Sequence, residues 1–365
     1  MGRRLCLRNW FIADFSNFFE MTLPTKIAEK SQRLPVFFSI LCGLFFSSFS
    51  PAQQKSEVFT YARKIVDTLA SPSMYGRGYV NKGDSIAADY IKGEFEKIGA
   101  KQIGKEYYQR FGFNINTFPM TMKMESKEKV FVAGKDFIVE GGSGTVNGVF
   151  ETVWFNNKIL NTKKAIRKFK KINFSNKVII VDPVGIDKIK DGKNLLDAFE
   201  LNLLNAKAVV FIEENKLTAG YSRQQENYLS LTILRKNINS ISDTIWINIE
   251  NKFLTNYSSQ NILSYIKGTQ YPDSFIVFTA HYDHLGMMGK DTYFPGANDN
   301  ASGVAMLLNL AKHYSQNPPK CSVAFMAFGA EEAGLLGSKY YVEHPLFPLS
   351  KIKFLLTFDI LGTGD

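Results

Sequence analysis

Three apolar runs in the last third of the chain each stop at a polar residue able to hold a metal ion. "SFIVFTA" (residues 274–280) leads to His281. "CSVAFMAF" (321–328) leads through Gly329 and Ala330 to adjacent Glu331 and Glu332. "KFLLTF" (353–358) leads to Asp359. Runs this short and this continuously apolar read as strands buried on both faces. Between the first two lies "ASGVAMLLNLAKHYSQ" (301–316), whose Val304, Leu307, Leu308 and Ala311 form one helical stripe. "GLLGSKYYVEH" (334–344) supplies a second helix before the third run. Strand alternating with helix predicts an α/β fold: a mostly parallel, doubly wound sheet with flanking helices.

Ligands of such a sheet bind beyond the carboxyl ends of its strands. One crevice should therefore collect His281, Asp283, Glu331, Glu332 and Asp359, joined by Asp299 from the loop "PGANDNASG" (295–303). Taken singly, each has an ordinary explanation. A histidine at a strand end is solvated, "NDN" is a turn, and paired glutamates favour a helix start. Their joint placement at three successive strand ends carries the argument. Carboxylates crowded together raise one another's pKa values, and one or two divalent cations resolve that conflict. One imidazole among several carboxylates suits zinc or a similar metal. Strand alternation puts Asp283 on the face of His281, where it could orient the imidazole. The same alternation sends His284 the other way, to a structural place or the rim. His313 and His344 read as surface residues.

The rest of the chain reads more blandly. With 365 residues, 45% hydrophobic and 21% charged, it fits a globular protein of one large domain or two moderate ones. The net charge of +10 owes much to "KKAIRKFKK" (163–171), read as a solvated helix or loop; no nucleic-acid motif accompanies it. Lys26, Lys30 and Arg33, the apolar "LPVFFSILCGLFFSSFS" (34–50) and the small residues "SPA" (50–52) form an export-signal pattern. The serine-broken run is short of the roughly 20 residues a membrane span needs, so export to periplasm or medium is expected, with no stable span after cleavage. Met21 is an alternative start. Cleavage leaves Cys321 alone, without a disulfide partner in the chain. Two helical patterns occupy residues 58–99. Short strand-like runs between turn clusters fill roughly 119–256, where Asp182 reads as a turn residue. The expected organisation is a leader over 1–52, a first helical part over 53–118, a β-rich insert over 119–257 and the site-bearing part over 258–365.

Four pieces, "HYDHLG" (281–286), "GANDNASG" (296–303), "AEEAGLLGS" (330–338) and "TFDILG" (357–362), resemble in order and context the two-zinc aminopeptidases. Glutamate carboxypeptidase, glutaminyl cyclase and the inactive transferrin receptor are relatives of that family. The insert, with "KVIIVDP" and "AKAVVFIEE", resembles a protease-associated domain. The resemblance implies a zinc exopeptidase acting on peptides with a free N-terminus, with two zinc ions. His281 and Asp359 would bind one ion, Glu332 the other, and Asp299 would bridge them. Glu331 would be the general base, and Asp283 would hold His281. The family's second zinc also takes a histidine well downstream of the Asp359 motif. None follows here before Asp365, so the resemblance implies a fragment, inactive and unstable as it stands, with an unpaired sheet edge.

Three alternatives stay open at this level. A glutaminyl cyclase uses one zinc with a similar ligand set. An inactive binding homologue would have lost ligands, which this sequence keeps. An exported binding protein could use its basic insert on an acidic polymer.

Overall fold

The computed structural model describes residues 51–362 other than Asp187 and Lys190. All but the last two residues of the expected leader lie outside the described residues. In chain order, helices α1 (Pro51–Leu69) and α2 (Gly83–Ile98) precede strands β1 (Lys101–Gln102) and β2 (Tyr108–Thr117). Strands β3 (Met122–Ser126), β4 (Val130–Phe131), β5 (Phe137–Val139) and β6 (Val146–Phe155) follow. Next come α3 (Asn157–Leu160), α4 (Lys163–Lys170), β7 (Lys177–Val181), α5 (Gly192–Glu200), β8 (Ala208–Glu213), β9 (Leu229–Leu234) and β10 (Thr244–Ile249). The chain continues through β11 (Lys252–Ile266), β12 (Tyr271–His281), β13 (Met287–Met288) and β14 (Thr292–Tyr293). It closes with α6 (Gly303–Gln316), β15 (Cys321–Phe328), α7 (Leu336–Glu343) and β16 (Ile352–Thr357).

These strands make two large sheets. The first has the order β1-β11-β15-β12-β16, with β2 also paired to β11. Its parallel part is β15-β12-β16; β11 runs antiparallel to β15, and β1 and β2 antiparallel to β11. Side chains alternate across β15. Val323, Phe325 and Ala327 pack with α1, α2 and α6 on one face, while Ala324 and Met326 pack with Tyr341 of α7 on the other. Helices thus cover both faces, which is why β12 and β15 tolerate unbroken apolar sequence. At the end of the sheet, β16 pairs only with β12 among the described residues, and its Phe354, Leu355 and Leu356 are 54%, 45% and 41% exposed.

The second sheet, drawn wholly from residues 122–249, has the order β4-β3-β10-β6-β7-β8-β9-β5. Its four central strands, β6 to β9, are parallel. Val178, Ile180, Val210, Ile212 and Leu231 fill one side, and a phenylalanine cluster of Phe155, Phe169, Phe174 and Phe199 fills the other. The basic segment forms α4, which buries only Phe169 and leaves its lysines to water. No described helix is long and apolar enough to cross a membrane.

Candidate metal centre

The parallel register brings the strand ends level. His281 is the last residue of β12 and lies opposite Phe328, the last of β15. Thr279 lies opposite Thr357 of β16, so two residues further on His281 faces Asp359. The loop after β14 then crosses over these ends. Gly296 adopts φ +57°, a left-handed turn where an added Cβ would come within 2.5 Å of His284 Cδ2, Arg77 Nη2 and Asp299 O. Asn300 ties this loop to the exit of β16, its amide donating to Phe358 O at 2.9 Å while its Oδ1 accepts from Gly303 N. Asp299 is thereby held over the sheet.

Two groups of donors result, and both contain Asp299. In the first, His281 Nε2 is 3.3 Å from Asp299 Oδ1 and 3.4 Å from Asp359 Oδ1. In the second, His284 Nδ1 is 2.9 Å from Glu332 Oε1, and Asp299 completes the trio. Within each group the donor atoms lie within 4.8 Å of one another. His281 is 6% and His284 8% exposed, so the imidazoles form the floor and the carboxylates face the opening. Burial alone would lower the His281 pKa. Contacts with Asp283, Asp299 and Asp359 outweigh it and raise the pKa to about 12. Nitrogen and oxygen donors in this arrangement fit zinc.

Glu331 stands apart from both groups. Burial pushes its carboxyl up to about 7; His281 pulls against that shift, and Asp283, Glu332 and Asp359 add repulsion. A carboxylate poised near neutrality beside a metal group is suited to proton transfer.

Asp283 sits beside His281, as expected, and has further partners. Its carboxylate is 3.8 Å from His281 Nδ1, and the hydrogen-bond partner of that nitrogen is instead the Asp283 main-chain oxygen at 3.2 Å. The fully buried carboxylate accepts the backbone N–H groups of Glu331 and Glu332 at 3.0 and 3.2 Å. Its main task is to hold the glutamate turn against the end of β12. His284 departs from the reading given by alternation. The chain leaves the sheet after His281, and the N–H groups of His284 and Gly286 bond to Arg77 O and Gly76 O. That detour turns the ring into the site rather than away from it.

Arg77 is the principal residue that the sequence reading passed over. It is wholly buried. Its Nε donates to Tyr282 O at 2.7 Å; Nη1 donates to Leu69 O and Pro295 O, both at 2.8 Å; Nη2 donates to Gly296 O at 2.7 Å. One side chain therefore joins α1, the end of β12 and the Asp299 loop. Burial brings its pKa down to about 10, opposed by Asp283, Asp299 and Glu332, so it stays charged. Its donors are spent on carbonyls and it neutralises the acidic cluster only from behind. Tyr79, its ring tilted at 54° against that of Tyr221 from the second sheet's connecting loops, donates to Asp283 Oδ2 at 3.4 Å. The signal for this region was "YGRGYV", a run with Tyr75, Gly76 and Arg77 all at positive φ.

Residues 261–365, which span all three strand ends and the Asp299 loop, match a known sequence family. That family is peptidase family M28. The chain is similar to known aminopeptidases. Aminopeptidase YwaD of Bacillus subtilis is 28% identical over 241 residues, covering 64% of this chain and 49% of the relative. A probable leucine aminopeptidase 2 of Aspergillus oryzae is 34% identical over 127 residues, 34% of this chain and 24% of the relative. The chain thus spans about half, or less, of the length of these relatives. The fold matches that of a zinc aminopeptidase from Bacillus subtilis with a TM-score of 0.59 at 22% identity, covering 83% of this chain and 69% of that one. A peptidase M28 precursor from Shewanella amazonensis gives 0.56 at 16% identity over 85% and 75%. The match to M28 covers the site-bearing part, and the fold likeness extends through most of the described chain.

Proposed function

We propose that the chain is a zinc-dependent aminopeptidase that removes N-terminal residues from peptides, uses two zinc ions and employs Glu331 as general base. One observation carries the reading: Asp299 belongs to both donor groups, which is the arrangement a shared pair of cations requires. His281, Asp299 and Asp359 would hold one ion, and Glu332 with Asp299 the other. Bound there, zinc would supply Lewis acidity, polarising the scissile carbonyl and easing ionisation of water. Glu331 takes the proton of the attacking water and passes it to the departing amine. The protonated amino terminus of a peptide is drawn to the excess of carboxylates at the opening. Asp283 keeps Glu331 and Glu332 in register with His281, so the base and the ligand sets move as one. The export pattern of residues 26–52 supports action in the periplasm or the medium.

The test uses the purified chain, stripped with chelator and reloaded with zinc. Release of the N-terminal residue should return with zinc for a peptide with a free amine and stay absent for its N-acetylated form. Equal cleavage of both peptides, or none by the zinc-loaded protein, would overturn the reading.

A further inference from the structure

Helix α4 carries more positive charge than its own packing explains. Lys163, Lys164, Arg167, Lys168, Lys170 and Lys171 are all exposed, and none forms an ion pair among the described residues. The helix dipole accounts for only part of this. Basic residues favour the last turn, yet Lys163 and Lys164 stand in the first, where no acidic residue occurs. Spacing adds to the conflict, because 163–167, 164–168 and 167–171 are like-charged pairs four residues apart. Residues 156–207 hold twelve basic and five acidic residues, so +7 of the chain's +10 falls on this part of the second sheet.

An apolar turn stands next to this charge. Helices α4 and α5 cover the same face of the second sheet, and their Phe169 and Phe199 rings meet at 6.4 Å. α4 leads into the start of β7 and α5 into the start of β8. These are adjacent parallel strands, and Lys207 N donates to Lys177 O at 2.9 Å where they begin. The C-terminal ends of both helices therefore lie at one edge of the sheet. At that edge the turn after α5 leaves Leu201, Leu203 and Leu204 62%, 66% and 38% exposed. The turn is fixed by its own bonds: buried Asn202 donates to Ala206 O and accepts from Ala206 N. Asn202 and Asn205 both take the left-handed conformation that asparagine tolerates. A single exposed leucine is ordinary; three on one fixed turn beside a cationic helix mark an interaction surface.

We propose that α4 and the turn 201–205 form a docking surface for an anionic phospholipid bilayer. The leucines enter the acyl boundary, and the lysines and Arg167 meet lipid phosphates. Apolar tips set beside a band of cations are what an anionic membrane interface selects. The long basic side chains can lay their stems along the apolar layer while their heads reach the phosphates. A soluble polyanion would use the charge and leave the leucines in water. The surface is separate from the metal centre and does not depend on the zinc reading.

The test sediments the full-length chain with vesicles of phosphatidylcholine alone or of equal parts phosphatidylcholine and phosphatidylglycerol. Binding to the anionic vesicles only, weakening as salt rises, is the expected result. Each cation near an anionic leaflet strengthens binding about fivefold. Combined Lys164→Glu, Arg167→Glu and Lys168→Glu should therefore weaken it at least about 100-fold, and Leu201→Ser with Leu203→Ser about tenfold. Residues 1–52 are common to all these proteins and cancel in the ratios. Failure of the wild type to bind anionic vesicles would overturn the proposal. So would unchanged affinity in both variants, which would point to another apolar surface such as β16. A loss confined to one variant would overturn it too; confined to the charge-reversed variant, it would mark a site for a soluble polyanion. Should a variant fail to fold, Leu203→Trp reads the contact directly. Brominated lipid in anionic vesicles should quench its emission beyond that of the wild type, and equal quenching would overturn the proposal.

Discussion

The two sheets obey the same topological rule and reach opposite outcomes. In the second sheet, the residues immediately after parallel strands β7, β8 and β9 are Asp182, Glu214 and Arg235. Arg235 forks onto both oxygens of Asp182 at 2.7 and 3.2 Å and also binds Glu214. The Asp182 carboxyl is held below its ordinary range chiefly by that hydrogen bond. Arg235 offsets one of the two carboxylate charges, and no cluster of metal donors forms there among the described residues. In the first sheet, the corresponding positions are His281, Glu331, Glu332 and Asp359, and the nearest arginine, Arg77, is committed to carbonyl oxygens. Polar residues at the tips of parallel strands therefore do not by themselves mark a site. An acidic excess that the protein leaves uncompensated does.

Substitutions at four positions sharpen that contrast. The largest effect is expected from Glu331→Gln, which leaves both donor groups intact: hydrolysis should fall by about 10²–10⁴-fold while zinc content, measured by atomic absorption, stays unchanged. Equal loss of metal would mean that Glu331 belongs to the ligands. Next comes Arg77→Met, which strands five carbonyl contacts in the interior. Urea unfolding should show a loss of about 3–5 kcal/mol, and Arg77→Lys should recover little of it because an ammonium lacks the planar fork.

Asp84 gives a smaller, pH-dependent effect. Burial raises its pKa to about 6, against hydrogen bonds from Tyr257 and Ser259 that favour the charged form. The folded value lies above the unfolded one, so the stability it contributes is full below about pH 4 and is lost as pH rises through about 6. Asp84→Asn should flatten that decline, by about 1–3 kcal/mol between pH 4 and 8; parallel slopes for both proteins would refute it. The smallest effect belongs to the second sheet. Arg235→Gln should cost about 1 kcal/mol and leave zinc binding untouched, because Asp182 and Glu214 are 20% and 53% exposed and water can replace their partner.

Much of this was legible beforehand, for identifiable reasons. β12, β15 and β16 announce themselves because buried parallel strands need uninterrupted apolar sequence, and their polar ends then stand out. β2 was not read as a strand, although Phe111, Phe113 and Ile115 alternate with Arg110, Gly112 and Asn114 and face inward. Three alternating pairs among polar neighbours are a weak signal beside the apolar runs. His284 eluded the alternation rule because that rule assumes a continuing strand, and the chain had already left the sheet. Arg77 eluded it for another reason. Its acceptors are main-chain oxygens of residues 69, 282, 295, 296 and 299, and a carbonyl leaves no mark in the sequence.

The double grip of Asp283 on the turn of Glu331 and Glu332 has a consequence for anyone wishing to re-engineer this centre. Proton transfer and ion capture share one mechanical anchor, so neither can be retuned alone by reshaping that turn. Shifting the base by a few tenths of an ångström drags a ligand with it, and selectivity among metals and pace of turnover would have to be altered from the Asp299 side instead.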